Sequence, residues 1–239
     1  MQEFSGNFVI IYMMLKYFSK KGQILPIEDA TMPLANIEYS YGFGVYENIK
    51  VRNNILYFVD QHIERLLKSA QIIGRNHSFE KSQIKKFIEE LTFYDDRLSS
   101  FNLKMLLVGG KEPFLFIIPL APHFPDRKLY STGAKTITFH YDRLFPNAKT
   151  LNMLPSYIAY KKAKENDCYD ALFVDSSKNI IEGTRSNFFT IYGDIIFGPP
   201  AEKILEGVTK ITVLRVAKKQ GFDYKETDIP LSELSGFNG

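Results

Sequence analysis

The sequence predicts a mixed protein of helices and strands, α/β or α+β in class, divided into two domains. Three observations carry this. Strand-like stretches alternate with stretches whose apolar residues recur at helical spacing. A proline-rich segment, Pro119-Leu120-Ala121-Pro122-His123-Phe124-Pro125, interrupts the pattern near the middle of the chain. At 239 residues the chain can bury a sizeable core, as one large domain or two moderate ones.

The elements follow in order. Val45 to Val51 and Ile55 to Val59 flank Arg52-Asn53-Asn54 and read as a hairpin. In Gln61 to Gly74, Ile63, Leu66, Leu67, Ala70 and Ile73 share one face of a helix that Gly74 closes. A second helix is expected over Ser82 to Phe93, with Ile84, Phe87, Ile88 and Leu91 inward. Strands Leu103 to Val108 and Phe114 to Ile118 are joined through Gly109-Gly110-Lys111. Three prolines in seven residues cannot continue a sheet or helix, so Pro119 to Pro125 is read as a stiff linker. The expected domains are therefore 1–120, with residues 1–13 an extra segment if translation starts at Met13 or Met14, and a larger 121–239. In the second, Thr136 to His140 and Ala171 to Asp175 read as strands and Ser156 to Asn166 as a helix. Ser176-Ser177-Lys178-Asn179 is a turn. Asn187 to Tyr192 and Ile195 to Phe197 form a hairpin through Gly193-Asp194. Thr209 is expected to cap a helix running to Gln220, with Ile211, Leu214 and Ala217 on one face and Gly221 at its end.

Composition excludes several classes. Apolar content of 45% and charged content of 24% are those of a soluble globular chain. A net charge of +3 without a basic stripe argues against nucleic acid and against a membrane surface. No apolar run is long enough to span a bilayer. Phe8 to Leu15 is apolar but lacks a basic start and a small-residue cleavage site, so it is not read as a signal peptide. Cys168 is the only cysteine, which rules out an intrachain disulfide and fits a reducing, cytoplasmic compartment. No metal-ligand spacing is found.

Two residues stand out chemically. Lys149 opens Lys149-Thr150-Leu151-Asn152, and Glu182 opens Glu182-Gly183-Thr184-Arg185-Ser186-Asn187-Phe188-Phe189. A lysine amine forms a Schiff base with an aldehyde cofactor. A carboxylate keeps a pyridine nitrogen protonated, so that the ring accepts electrons. Further segments offer anion contacts. Arg65 lies near the start of an amphipathic helix, and a guanidinium can hold a phosphate at two points. Gly207-Val208-Thr209 opens a helix, whose N–H groups and dipole favour an anion, with the Thr209 hydroxyl as a further donor.

These segments together resemble the class IV (fold type IV) pyridoxal-phosphate enzymes, which include branched-chain and D-amino acid aminotransferases and aminodeoxychorismate lyases. The matching stretches are Tyr41-Gly42-Phe43-Gly44-Val45-Tyr46-Glu47, Asp60-Gln61-His62-Ile63-Glu64-Arg65-Leu66, the frames at Lys149 and Glu182, and Leu205-Glu206-Gly207-Val208-Thr209. The order and gaps fit from about Tyr17 to Asn238, with most likeness to the D-amino acid branch. The resemblance implies a two-domain fold type IV enzyme that binds pyridoxal 5'-phosphate. Lys149 would be the Schiff-base residue and proton shuttle, in the C-terminal domain. Glu182 would face the pyridine nitrogen, Leu205 the ring, and Arg65, Gly207, Val208 and Thr209 the phosphate. Asn187 would support the loop after Glu182. The substrates would be a small amino acid and a keto acid, with Tyr46 at the carboxylate, in a homodimer whose sites borrow a loop from the partner.

The likeness thins in two places. The strand Leu103 to Val108 lacks the arginine that contacts substrate carboxylates in the family, and Arg185 is the expected replacement. Family members typically continue for some tens of residues beyond this point with a phosphate-binding loop, so the C-terminal domain is expected to be incomplete, through truncation, a disrupted reading frame, or as a shortened homologue with weaker cofactor binding. A lyase acting on an amino-chorismate-like substrate and a degenerate, non-catalytic homologue are the alternatives.

Overall fold

The computed structural model describes residues 16–94, 99–122 and 125–237. The suggested extra segment and the apolar stretch Phe8 to Leu15 lie outside the described residues. The chain divides into two units, Met1–Phe124 with Ala148–Leu151, and Pro125–Asn147 with Asn152–Gly239.

The first unit is built on a six-stranded antiparallel sheet, β1 (Tyr17–Lys20), β2 (Gln23–Pro26), β3 (Gly44–Arg52), β4 (Ile55–Leu56), β5 (Phe101–Val108) and β6 (Phe114–Leu120), in the order β2-β1-β6-β5-β3-β4. A single helical turn, α1 (Ile37–Ser40), precedes β3. Helices α2 (Val59–Ile72) and α3 (Lys81–Tyr94) follow β4. Strand alternation sends Val45, Ile49 and Val51 of β3, and Leu103, Met105 and Leu107 of β5, to one face. There they pack fully buried against Ile63, Leu66 and Ala70 of α2 and Ile84 and Ile88 of α3. Each of the valine, leucine, isoleucine and methionine side chains among them contributes about 1.5–3 kcal/mol by leaving water.

The hairpin turns where expected, with Asn53 and Asn54 both at positive φ, 48° and 60°. Its second strand stops at Leu56 rather than Val59. Phe58 adopts a left-handed conformation, and Val59 is already the first residue of α2. The linker is also shorter than expected. Pro119 lies in β6 opposite Leu103, and the ladder on the other side of β6, to β1, is registered only at Phe116 and Ile117. Proline is tolerated at such an edge because no neighbour there needs its missing N–H. β1 and β2, four residues each, carry too short a pattern to be read from sequence.

The second unit holds two three-stranded sheets. In one, β7 (Thr136–His140) runs parallel to β8 (Asp170–Val174), which pairs antiparallel with β9 (Ile180–Gly183). In the other, β10 (Thr190–Tyr192) and β11 (Ile195–Gly198) form the expected hairpin, and β12 (Asp223–Glu226) runs parallel to β11. Parallel pairs need crossovers. A short turn, α4 (Leu129–Thr132), precedes β7, and α5 (Leu154–Glu165) lies between β7 and β8. Between β11 and β12 comes α6 (Val208–Lys219). Ala159 and Ala163 of α5 are small enough to pack closely on Ala171 and Phe173 of β8, beside the buried Cys168. β9 escapes a sequence reading because all four of its residues are buried, which erases the alternation. Asn187 to Phe189 is not strand, and Asn187 makes only an isolated bridge to Glu182.

Candidate active site

Lys149 lies in the segment that rejoins the first unit, not in the C-terminal unit where the sequence reading places it. The reason is backbone pairing. Tyr46 N–H donates to the Lys149 carbonyl at 2.9 Å, Leu151 N–H to the Gly44 carbonyl at 2.9 Å, and Thr150 bridges Val45. Lys149 N–H donates to Ser69 Oγ at 3.0 Å. The lysine backbone is thus fixed from both sides, by the start of β3 and by α2. Its Nζ lies 4.7 Å from the centroid of the Tyr46 ring, within cation–π range. The structure therefore brings together Lys149 and Tyr46, two residues picked from different motifs.

The helix behind this segment carries a polar stripe. His62, Arg65 and Ser69 of α2 follow one another at three- and four-residue intervals and share a face. That stripe meets Glu47, a carboxylate in the apolar row of β3 with no exposed surface. Arg65 Nε donates to Glu47 Oε1 at 2.5 Å and Nη2 to Oε2 at 2.8 Å, and His62 Nδ1 lies 2.8 Å from Oε2. Burial would push the Glu47 carboxyl up. The hydrogen bonds from Arg65 and His62, then the charges of Arg65 and Lys149, outweigh it and hold the carboxyl below its ordinary range. Arg65 sits near the middle of its helix, not at its start. Its Nε–Nη2 edge is engaged by Glu47, so the two-point grip expected on a phosphate is here a grip on a carboxylate. Glu47, His62 and Ser69 were not singled out from sequence. A carboxylate at an inward position of an apolar strand row was the available signal for Glu47.

In the second unit, Glu182 is 3% exposed at the end of β9. Arg143, from the segment after β7, forms an ion pair with its Oε1, and Leu205 N–H donates to its Oε2 at 3.2 Å. Arg143 is a further residue that sequence reasoning missed. It is 39 positions from its partner, and nothing local marks it. The loop after Glu182 is tightly held. Gly183 N–H donates to the Ser186 carbonyl at 2.8 Å, and the Thr184 hydroxyl donates to the buried Asp170 at 2.5 Å. Arg185 is exposed at the tip of this loop, its guanidinium 4.3 Å from the Tyr160 ring centroid.

Asn187, after the loop, donates through Nδ2 to the Leu205 carbonyl at 2.8 Å. Its Oδ1 occupies the space where a Cβ at position 207 would fall, so any larger residue there would push the Asn187 side chain aside. Leu205 and Val208 are buried, 8% and 6% exposed. Gly207, not Thr209, is the N-cap of α6, and no side chain caps this 12-residue helix. Thr209 stands exposed in its first turn. Uncapped N–H groups, the helix dipole and a threonine hydroxyl are groups that favour an anion.

Comparison with known proteins follows the same line. The family profile described as "Amino-transferase class IV" matches residues 44–238. A D-alanine aminotransferase of Bacillus licheniformis is 30% identical over 225 residues, covering 89% of this chain and 79% of the relative. Among solved structures, a branched-chain aminotransferase of Thermoproteus uzoniensis superposes with a TM-score of 0.84 at 22% identity, covering 94% of this chain and 82% of the other. One from Thermobaculum terrenum, in its pyridoxal phosphate form, gives 0.79 at 23%, covering 92% and 79%. These neighbours show the fold, type IV with mixed helices and sheets. Among the described residues no helix is long and apolar enough to cross a membrane. With the profile matched over most of its length, the chain belongs to the class IV aminotransferases, a family of pyridoxal-phosphate-dependent enzymes.

Proposed function

We propose that this aminotransferase moves an amino group from a small amino acid to a keto acid. The residues present fit pyridoxal 5'-phosphate by the chemistry of their donors. Lys149 offers a primary amine for the aldehyde. Glu182 offers a buried carboxylate for the pyridine nitrogen. The uncapped turn Gly207-Val208-Thr209 offers N–H groups and a hydroxyl for the phosphate, with Arg65 adding positive charge. When bound, the cofactor supplies an electron sink for the carbanion at the substrate Cα.

The observation that carries the reading is Glu182. A carboxylate that is almost fully buried, fixed by Arg143 and by a backbone N–H, matches what a protonated pyridine nitrogen requires. The chain's own residues then divide the work. The Lys149 amine would act as the base that takes the proton from Cα of the amino acid and, in the second half of the reaction, as the acid that supplies a proton to Cα of the new amino acid. Its fixed backbone limits the arc that Nζ sweeps. Leu205 presents an apolar surface to the ring, and Asn187 holds Leu205 in place. Tyr46 orients the Lys149 ammonium group through its ring. The homodimer is carried over from the family resemblance, and sedimentation of the purified protein checks it.

The test is transfer itself. Protein loaded with pyridoxal phosphate is incubated with single D- or L-amino acids and a keto acid, and the new amino acid is measured. The reading predicts transfer from at least one small amino acid and a rate lower by about 10²-fold or more in Glu182→Gln. Absence of transfer from every amino acid offered would refute it.

A further inference from the structure

The face of the first unit's sheet turned away from α2 and α3 carries the chemistry. Tyr46 and Asn48 of β3 and Asn102, Lys104 and Leu106 of β5 alternate with the fully buried core residues and so occupy that face. In the register Tyr46 stands opposite Leu106 and Asn48 opposite Lys104. Lys104 is therefore a diagonal neighbour of Tyr46, within reach for a long side chain. Its Nζ lies 5.7 Å from the centroid of the Tyr46 ring, the same ring that Lys149 Nζ approaches to 4.7 Å.

Two lysine heads at one phenol ring repel each other, and an anion bound beside them relieves that repulsion. Among the described residues no carboxylate pairs with Lys104. Burial pushes its amine below the usual lysine range, and no nearby charge or hydrogen bond counters it. By contrast, several partly buried lysines have acidic partners. Lys203, for example, pairs with Asp228 at 2.5 Å and Asp175 at 3.5 Å. A half-buried cation left without an acid, on the same ring as a reactive amine, is suited to an anion that arrives with the substrate.

We propose that Lys104 is the cation that receives the carboxylate of the amino-acid and keto-acid substrates, its ammonium group and that of Lys149 both lying near the Tyr46 ring. This rests on the aminotransferase reading and deepens it. Lys104 takes the place left by the absent strand arginine. The expected substitute, Arg185, instead stacks on Tyr160 in the other unit. An α-amino acid suits two amines at one ring, since its carboxylate is one bond from the carbon whose proton Lys149 would move. An ammonium group offers a point charge rather than a planar fork, so recognition here is by charge and distance.

The experiment uses the pyridoxal-phosphate-loaded protein, wild type, Lys104→Met, Lys104→Arg and Arg185→Ala. The visible band of the loaded protein is recorded first. D-alanine and L-alanine are then titrated and the decay of the band is followed, with n-propylamine, which has no carboxylate, as the control. The proposal predicts an intact band in Lys104→Met, a half-saturating alanine concentration raised roughly 10- to 100-fold, an unchanged response to n-propylamine, and recovery of most of the loss in Lys104→Arg. An alanine response in Lys104→Met equal to wild type overturns the proposal while leaving the aminotransferase reading in place. So does a loss confined to Arg185→Ala. A wild-type protein that shows no band overturns the reading and the proposal together.

Discussion

Two buried carboxylates, one in each unit, are both gripped by arginine, yet they differ in where their partners come from. Glu47 sits within an apolar strand row, and Arg65 and His62 reach it from a single packed helix. Glu182 sits at a strand end, and its partners come from two connecting segments, Arg143 after β7 and Leu205 before α6. The first arrangement ties a helix to a sheet. The second holds a charge where strands end and a helix begins, the part of an α/β unit in which ligands are met. Burial and an ion pair alone do not identify a functional acid. The elements that supply the partners distinguish the two.

That contrast can be broken by substitution, and the largest effect is expected at Glu47. Removing one member of a buried pair leaves the other charge uncompensated, which costs about 3–5 kcal/mol. Arg65→Met should lower the thermal midpoint of unfolding by many degrees, and Arg65→Lys by less than Met but clearly, because an ammonium cannot make both contacts. Calorimetry of the variants checks this. If Arg65→Met melted like the wild type, Glu47 would not be the structural member of the pair.

The same residue sets a pH dependence. The Glu47 carboxyl is lowered in the folded state, so it binds its proton less readily there than in the unfolded chain. Its contribution is complete above the ordinary glutamate range. It is lost as pH falls below that range and through the lowered folded value. Unfolding midpoints measured from neutral to acid pH should therefore decline toward acid, and Glu47→Gln should be less stable at neutral pH with a shallower decline. An equally steep acid limb in that variant would assign the effect to other groups.

A smaller effect is expected at Ser69. Ser69→Ala removes the acceptor of the Lys149 N–H, at a cost of about 1 kcal/mol. Its effect should fall on transfer rate more than on stability, because the group it anchors carries the amine proposed to react. A rate unchanged from wild type would mean that β3 alone positions the lysine.

The sequence was most legible where a period was intact. The alternation of β3 and β5 and the apolar face of α2 are local patterns, and the structure places them with shifts of only a few residues. It was least legible where period or distance failed. β9 is buried on both faces, β1 and β2 are four residues long, and Pro119 keeps a strand position that its lack of an N–H argues against. Among the candidate residues, Lys149, Glu182 and the 207–209 turn stand in frames that can be read in order. Glu47 with Arg65, Arg143 with Glu182, and Lys104 with Tyr46 are pairings made by folding, and no local spacing encodes them. Lys149 was placed in the wrong unit for the same reason, since its pairing to Gly44 and Tyr46 joins residues far apart in the chain.

The most direct test of the account is the visible absorbance spectrum during titration with pyridoxal phosphate, for the wild type and Lys149→Ala, with a thermal melt of each to confirm folding. The account predicts a saturable band in the wild type and none in Lys149→Ala, with both proteins folded. A band that persists in a folded Lys149→Ala would place the reactive amine elsewhere and contradict it.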